Sequence, residues 1–446
     1  MTSTMPWTEK LPHQEVISER EFGQRLDQEG RDFLLLGNQL LHSSSGDWSY
    51  HQVYLLYGSA TEIETYLDDH GARENRSFFP IREMVALIRW LSLSLSSLLH
   101  LDSRLRTYEN LDENWLQGDF QTHLGRGKDL LSSRIQICLK SLRSSWVALD
   151  LPWPESVPVR ESLPASGQSP RLARNLIEER EQVADSEKET VSEAAQMAAR
   201  YLSLESDFKK LRKQAEEAGQ SRRAFMAEHF REDVAREYEA RVHNLQSLYD
   251  SQISASDVEI HQELPILRGA ISIAFHLLES ATALTHLYER HDVYGRLSET
   301  RQTFERLIGE EQLLTFIISS LLESTYESFC RNSPAVQALL QSSTTQISKT
   351  FSIPEGIQLH ARPISLIVGI VNHFGTPVEM EVAGKRCSAA SIMQMLVLLG
   401  SHPDVKEITF EGDEPALVDL ERLFSAHLGE KGMERLPPTL DYLRRN

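Results

Sequence analysis

The sequence predicts a multidomain chain: a large all-helical N-terminal region followed by a smaller α+β domain. Three observations lead there. Apolar residues in two long stretches, 14 to about 150 and 172–331, recur at steps of three and four, which gathers them on one face of a helix. Between these stretches, residues 151–171 hold five prolines among small and polar residues. From Thr345 onward the pattern changes to short alternating runs between helical ones.

The first helical stretch, 1–150, is expected to be one domain. Its best pattern is Ile81, Met84, Val85, Ile88, Leu91, Leu95, Leu98 and Leu99, a single helix face. The proline-rich segment 151–171 cannot continue a helix, because proline lacks an N–H donor and fixes its backbone. It reads as a linker. Residues 172–340 then form a second helical domain. Val191, Ala194, Met197, Tyr201, Leu204, Phe208, Leu211, Ala215 and Ala218 follow near-heptad spacing up to Gly219, with Ser221 as the next N-cap. Phe230, Val234, Tyr238, Val242, Leu245 and Tyr249 resume the stripe. Two long helices folded back on each other and a homodimeric coiled coil through 172–250 fit this pattern equally well.

The last domain spans 345–432, with a tail at 433–446. Ile347–Ile353 and Pro377–Ala383 alternate, and Ile408–Phe410 is a brief apolar run. Helical segments lie at 361–374, 390–399 and 413–428. The order is strand, helix, strand, short strand, helix, strand, helix, an arrangement that stacks helices on one face of a sheet.

Composition excludes several function classes. The chain has 446 residues and a formal net charge of −19. Duplex nucleic acid needs clustered Lys and Arg to neutralise phosphate, so no nucleic-acid partner is expected. The three cysteines, Cys138, Cys330 and Cys387, form no C-x-x-C pair and suit a reducing cytoplasm. The N-terminus shows no basic segment followed by an apolar run. The best apolar runs, Trp90–Leu101, Ala270–Leu278 and Leu313–Leu322, are shorter than a bilayer crossing, so no membrane span is expected. No metal-ligand spacing is found, and no metal or cofactor is expected. No P-loop occurs.

The chemistry concentrates at Gln358-Leu359-His360-Ala361-Arg362-Pro363. Pro363 suits a first helical turn, which puts His360 near the N-cap. The free backbone N–H groups of Ala361 and Arg362, with the helix dipole, would hold an anion beside the ring. Arg362 adds a charge-assisted fork, and a neutral imidazole nitrogen is a competent nucleophile toward phosphorus.

These residues carry a resemblance. Leu359-His360-Ala361-Arg362-Pro363, Gly384-Lys385, Ala390-Ser391-Ile392-Met393, Leu398-Leu399-Gly400 and Glu411-Gly412-Asp413-Glu414-Pro415-Ala416-Leu417 occur in the order found in HPr. That family is the histidine phosphocarrier of the bacterial phosphoenolpyruvate-dependent sugar phosphotransferase system, and residues 347 to about 430 resemble it. The resemblance implies an open-faced β-sandwich of order βαββαβα. It implies a non-enzymatic phosphocarrier, with His360 taking a phosphoryl group from enzyme I and passing it to a sugar-specific acceptor, and Arg362 neutralising the phosphate. Ser391 matches the serine that a dedicated kinase phosphorylates in many members; the same residue also reads as a plain helix N-cap. Ile392, Met393 and Met395 would supply apolar contacts to partners. The sequence departs from the family at Gln358, where Gly is usual, with Gly356 two residues upstream. It departs again at Ile364, usually small, and at Ala390, usually Lys. A regulatory or scaffolding role on the helical platform is the alternative reading.

One further motif, His123-Leu124-Gly125-Arg126-Gly127, resembles the histidine phosphotransfer motif of two-component signalling, which usually has Lys in fourth place. The default for His123 is a loop histidine beside glycines that end a helix.

Overall fold

The computed structural model describes residues 16–108, 111–155, 193–219, 221–253, 261–290 and 298–444. Most of the proline-rich linker, the start of the heptad seam and Val191 lie outside the described residues. The chain divides into two compact units, formed by the described residues within Met1–Ser103, Phe120–Arg171 and Glu279–Leu321, and within Arg104–Asp119, Leu172–Leu278 and Leu322–Asn446.

The first unit is helical. It contains α1 (Glu19–Glu29), α2 (Arg31–His42), α3 (Tyr50–Asp69), most of α4 (Phe79–Arg104) and α5 (Gln121–Ala148). The predicted stripe on α4 is buried at Ile81, Met84, Val85, Ile88, Leu91, Leu95 and Leu98, and half-buried at Leu99. α3 begins at a capping box in which Ser49 accepts from the Gln52 N–H and the Gln52 side chain returns to the Ser49 N–H. Residues 151–155 pack back on this unit: Trp153 Nε1 donates to Asn38 Oδ1 at 3.0 Å. His123 lies within α5, not in a loop, and the glycines beside it do not end a helix. Gly127 is needed there for close packing, because Phe316 occupies the space of a side chain.

The second unit begins its helical part with α6 (Glu193–Ala218), α7 (Arg222–His229) and α8 (Glu232–Gln252). The predicted seam on α6 is filled from within the chain. Phe208 packs on Tyr238 of α8, with ring centroids 4.8 Å apart, and Asp207 pairs with Arg241 at 2.8 Å. The two helices therefore fold back on each other after Gly219, although Ser221 makes no side-chain cap bond. α9 (Leu264–Tyr288) starts in this unit and from Glu279 belongs to the first, as do α10 (Ser298–Leu307) and α11 (Glu310–Phe316); α12 (Glu323–Cys330) and α13 (Ser333–Ser342) are again in the second unit. Phe329 of α12 closes the seam, 4.7 Å from the Tyr201 ring and 5.6 Å from that of Phe208.

Two helices are longer than the apolar runs that signal them. The segment Phe79–Thr107 and α9 are long and apolar enough to cross a membrane by length and composition, so the shortness of the apolar runs does not by itself exclude a span. Within the chain, 72% and 67% of their most apolar windows are buried, the burial of core helices.

The sheet domain runs β1 (Gln346–Ser352), α14 (Ala361–Phe374), β2 (Val378–Val382), β3 (Lys385–Ser388), α15 (Ile392–Gly400), β4 (Glu407–Asp413) and α16 (Glu414–Ser425). The order is the expected βαββαβα. Strands lie in the order β1-β4-β2-β3, all antiparallel, and Gln346 is opposite Asp413. Alternation along the strands buries Val378, Met380 and Val382 of β2 and Ile408 and Phe410 of β4 against the helices. The other face carries polar side chains, among them Arg386 paired with Glu379, Glu381 and Glu411. Three short 3-10 turns, His427–Gly429, Met433–Arg435 and Pro438–Arg444, follow. Leu428, Leu436, Leu440 and Leu443 from this segment join the same core, so residues 433–444 pack on the domain and do not trail from it.

Candidate functional site

The site is built at the start of α14. The chain leaves β1, and Ile353 N–H donates to the Lys406 carbonyl at 2.8 Å. It then turns through Pro354 to Ile357, closed by an Ile357 N–H donation to Pro354 at 3.1 Å. Gly356 takes the left-handed conformation of that turn, with φ +80°. This accounts for the unusual Gln358: the left-handed position sits two residues earlier, and Gln358 has no positive φ to adopt. Ile364 is fully buried, so its extra bulk over a small residue fills core rather than crowding the site.

His360 is the N-cap of α14, in extended conformation with φ −98° and ψ −173°. The Arg362 backbone N–H donates to its ring Nδ1 at 3.3 Å. The imidazole thus does what Ser or Asp does at other helix starts: it accepts from a helix N–H that has no carbonyl partner. Its side chain is 54% exposed, so the ring is held and also reachable. Ala361 and Arg362 are exposed, while Pro363 beside them is buried. The Arg362 guanidinium has no ion pair or hydrogen bond among the described residues. An anion bonded to Nδ1 would therefore meet the helix N-terminus, its dipole and a guanidinium not engaged elsewhere.

On the other side of the ring, Glu430 Oε1 lies 3.4 Å from Nε2. No local sequence spacing points to this residue, which arrives from the segment after α16.

Ser391 is the N-cap of α15, and its Oγ accepts from the Gln394 N–H at 3.3 Å. On α15, Ile392 and Met393 are exposed, at 40% and 70%, and Val397, one turn beyond Met393, is 63% exposed. Met395 is fully buried in the domain core and does not belong to this outward face. The reason is helical phase: Met395 shares its side of the helix with Leu398 and Leu399, three and four residues on, while Met393 and Val397 share the other. Val397, absent from the expected set, takes its place on the exposed face.

Residues 347–426 match the family described as PTS HPr component phosphorylation site. They form a PTS-HPr domain at the C-terminal end of a large region that matches no family. No solved structure matches the chain.

Proposed function

We propose that the chain is a phosphocarrier protein in which His360 takes a phosphoryl group from an enzyme I-type donor and passes it to a sugar-specific acceptor protein. The observation that carries this reading is the ring of His360, exposed and hydrogen-bonded through Nδ1 at a helix N-terminus beside the unengaged Arg362. In the transfer, the Arg362 N–H gives up its hydrogen bond to Nδ1, and the freed lone pair forms the bond to phosphorus. The bond from phosphorus to the donor breaks, and its electron pair stays with the donor. Backbone N–H groups at Ala361 and Arg362 and the Arg362 guanidinium offset the charge on the phosphoryl oxygens. The site contributes positioning and electrostatics, and the chain is a protein substrate of the donor rather than an enzyme.

The exposed face of α15, with Ile392, Met393 and Val397, supports apolar docking of donor and acceptor. Ser391 is a candidate for regulatory phosphorylation by a serine kinase: added phosphate would lie at the α15 N-terminus, where the dipole favours it. The reading places the protein in the cytoplasm, in keeping with three cysteines that form no disulfide. The size of the helical region supports a second reading, in which the carrier domain serves regulation or scaffolding and the helices bind the target.

The test is to incubate the purified chain with enzyme I and phosphoenolpyruvate, beside His360→Ala. The expected result is an acid-labile gain of one phosphate in the parent and none in the variant, read by intact mass. No gain, with an enzyme I that labels an ordinary HPr, overturns the carrier reading in favour of an interaction-only domain.

A further inference from the structure

The segment 427–444 lies beyond the stretch that matches the family, yet it is fixed firmly to the domain. Leu428, Leu436, Leu440 and Leu443 are buried in the core. Arg444 donates to the Met433 carbonyl at 3.0 Å and to that of Leu436 at 2.9 Å. His427, Leu428 and Gly429 follow one another at φ of 57°, 55° and 75°. Two side-chain-bearing residues in the left-handed region are costly, and they persist only where packing enforces them. Here it does: Leu428 is inaccessible, and a Cβ at Gly429 would stand 2.6 Å from Leu366 Cδ1. The next residue is Glu430, whose carboxylate is brought to the His360 ring.

The two ring nitrogens then have opposite surroundings. Nδ1 accepts an N–H, so in the neutral imidazole the hydrogen resides on Nε2. Nε2 is the nitrogen that faces the Glu430 carboxylate at 3.4 Å. The opposite tautomer would set hydrogen against hydrogen at the helix start and a lone pair against a carboxylate oxygen. We infer that Glu430 is a positioning residue for His360: it holds the ring with its hydrogen on Nε2 and leaves the Nδ1 lone pair at the helix N-terminus to bond phosphorus. This rests on the carrier reading above. As the Nδ1–phosphorus bond forms, the donor keeps the electron pair of the broken bond, the Nε2 hydrogen stays in place, and the ring becomes cationic beside an anion that offsets it.

The experiment uses the full chain labelled with nitrogen-15 histidine, with His360→Ala to assign the ring. Two-bond proton–nitrogen correlation spectra of the neutral imidazole give the tautomer ratio, which needs no phosphoryl donor. Glu430→Ala is expected to shift the ratio toward hydrogen on Nδ1 by about twofold to fivefold, the range of partly exposed charge contacts. Phosphoryl uptake should slow by a similar factor. Glu430→Gln, which keeps an acceptor oxygen, should recover part of the ratio. Gly429→Ala keeps the charge but displaces the turn, and should move the ratio in the same direction as Glu430→Ala. A parental ratio in Glu430→Ala overturns the assignment. A parent chain that takes no phosphate overturns the carrier reading alone, because the tautomer ratio still decides the role of Glu430.

Discussion

Arg82 in the helical region is nearly inaccessible and meets Glu64, Asp68 and Glu83 at 2.7, 2.9 and 2.9 Å. Arg362 in the sheet domain is exposed and meets no carboxylate among the described residues. The same side chain thus serves opposite ends. A buried guanidinium must have its charge answered from within the fold, so Arg82 is committed to structure. Arg362 is solvated, costs the fold little and has its guanidinium donors unengaged among the described residues. The difference separates two kinds of arginine that composition counts alike: engagement, not identity, shows which one can act on something that arrives from outside.

Substitutions at the two positions should separate most widely in stability. Arg82→Ala leaves the buried Glu64 with Arg89, 2.8 Å away, as its remaining partner and takes the shared cation from Asp68 and Glu83, and should cost about 3 kcal/mol in urea unfolding of the helical unit, the low end for breaking a buried pair. An unchanged midpoint would break the comparison. Within the sheet domain, Leu443→Ala removes a side chain whose Cδ2 lies 2.8 Å from the position a Cβ would take on Gly369. It should cost about 2–4 kcal/mol, showing that the segment after α16 is core rather than appendage. Arg362→Ala should shift stability by less than about 0.5 kcal/mol while slowing phosphoryl uptake by about tenfold to a hundredfold, as expected for charge-assisted bonds to an anion. Equal effects on both readouts would erase the distinction from Arg82. Ser391→Ala should cost about 1 kcal/mol through its lost cap at α15, measured by thermal melting.

The smallest effect is a pH slope. Burial pushes the Asp68 carboxyl up, but hydrogen bonds and charges from Arg82 and Arg73 outweigh it and hold the group at about 2. An unfolded Asp titrates near about 3.9. The folded value is the lower one, so this stabilisation is complete above the unfolded value and is lost as the pH falls toward about 2. Unfolding midpoints from pH 5 to 2 should show this slope in the parent and a weaker one in Arg82→Ala.

The fold of the sheet domain was legible because each signal in it is local. Alternation marks β1 and β2, a three-to-four step marks α14, and Pro363 just after His360-Ala361-Arg362 marks where the helix starts. The His360 site follows from those few residues, since an N-cap is a local structure. Met395 was misplaced because apolar type does not reveal helical phase; only the neighbours Leu398 and Leu399 show which side it takes. Gly127 was read as a helix end because its use, the approach of Phe316, comes from a distant part of the sequence. Glu430 was missed for the same reason. It meets His360 across 70 positions of sequence, on a segment of short 3-10 turns with no regular period to read. The available signal was the spacing of Leu428, Leu436, Leu440 and Leu443 among polar residues.

The register of the sheet has a consequence for how the chain is made. β1 has β4 as its neighbour in the sheet, and Gln346 waits for Asp413. During synthesis, the first strand therefore leaves the ribosome long before its partner exists, and the leucines at 436, 440 and 443 that complete the core emerge later still. Pairings this remote in sequence are slow to form. Until then, the His360 loop has no sheet beneath it and Glu430 has not been translated. The helical region, whose α6 and α8 are joined through the short helix α7, can be folded by that time. Newly made molecules would thus pass through a period in which the helical region has formed and the His360 site has not.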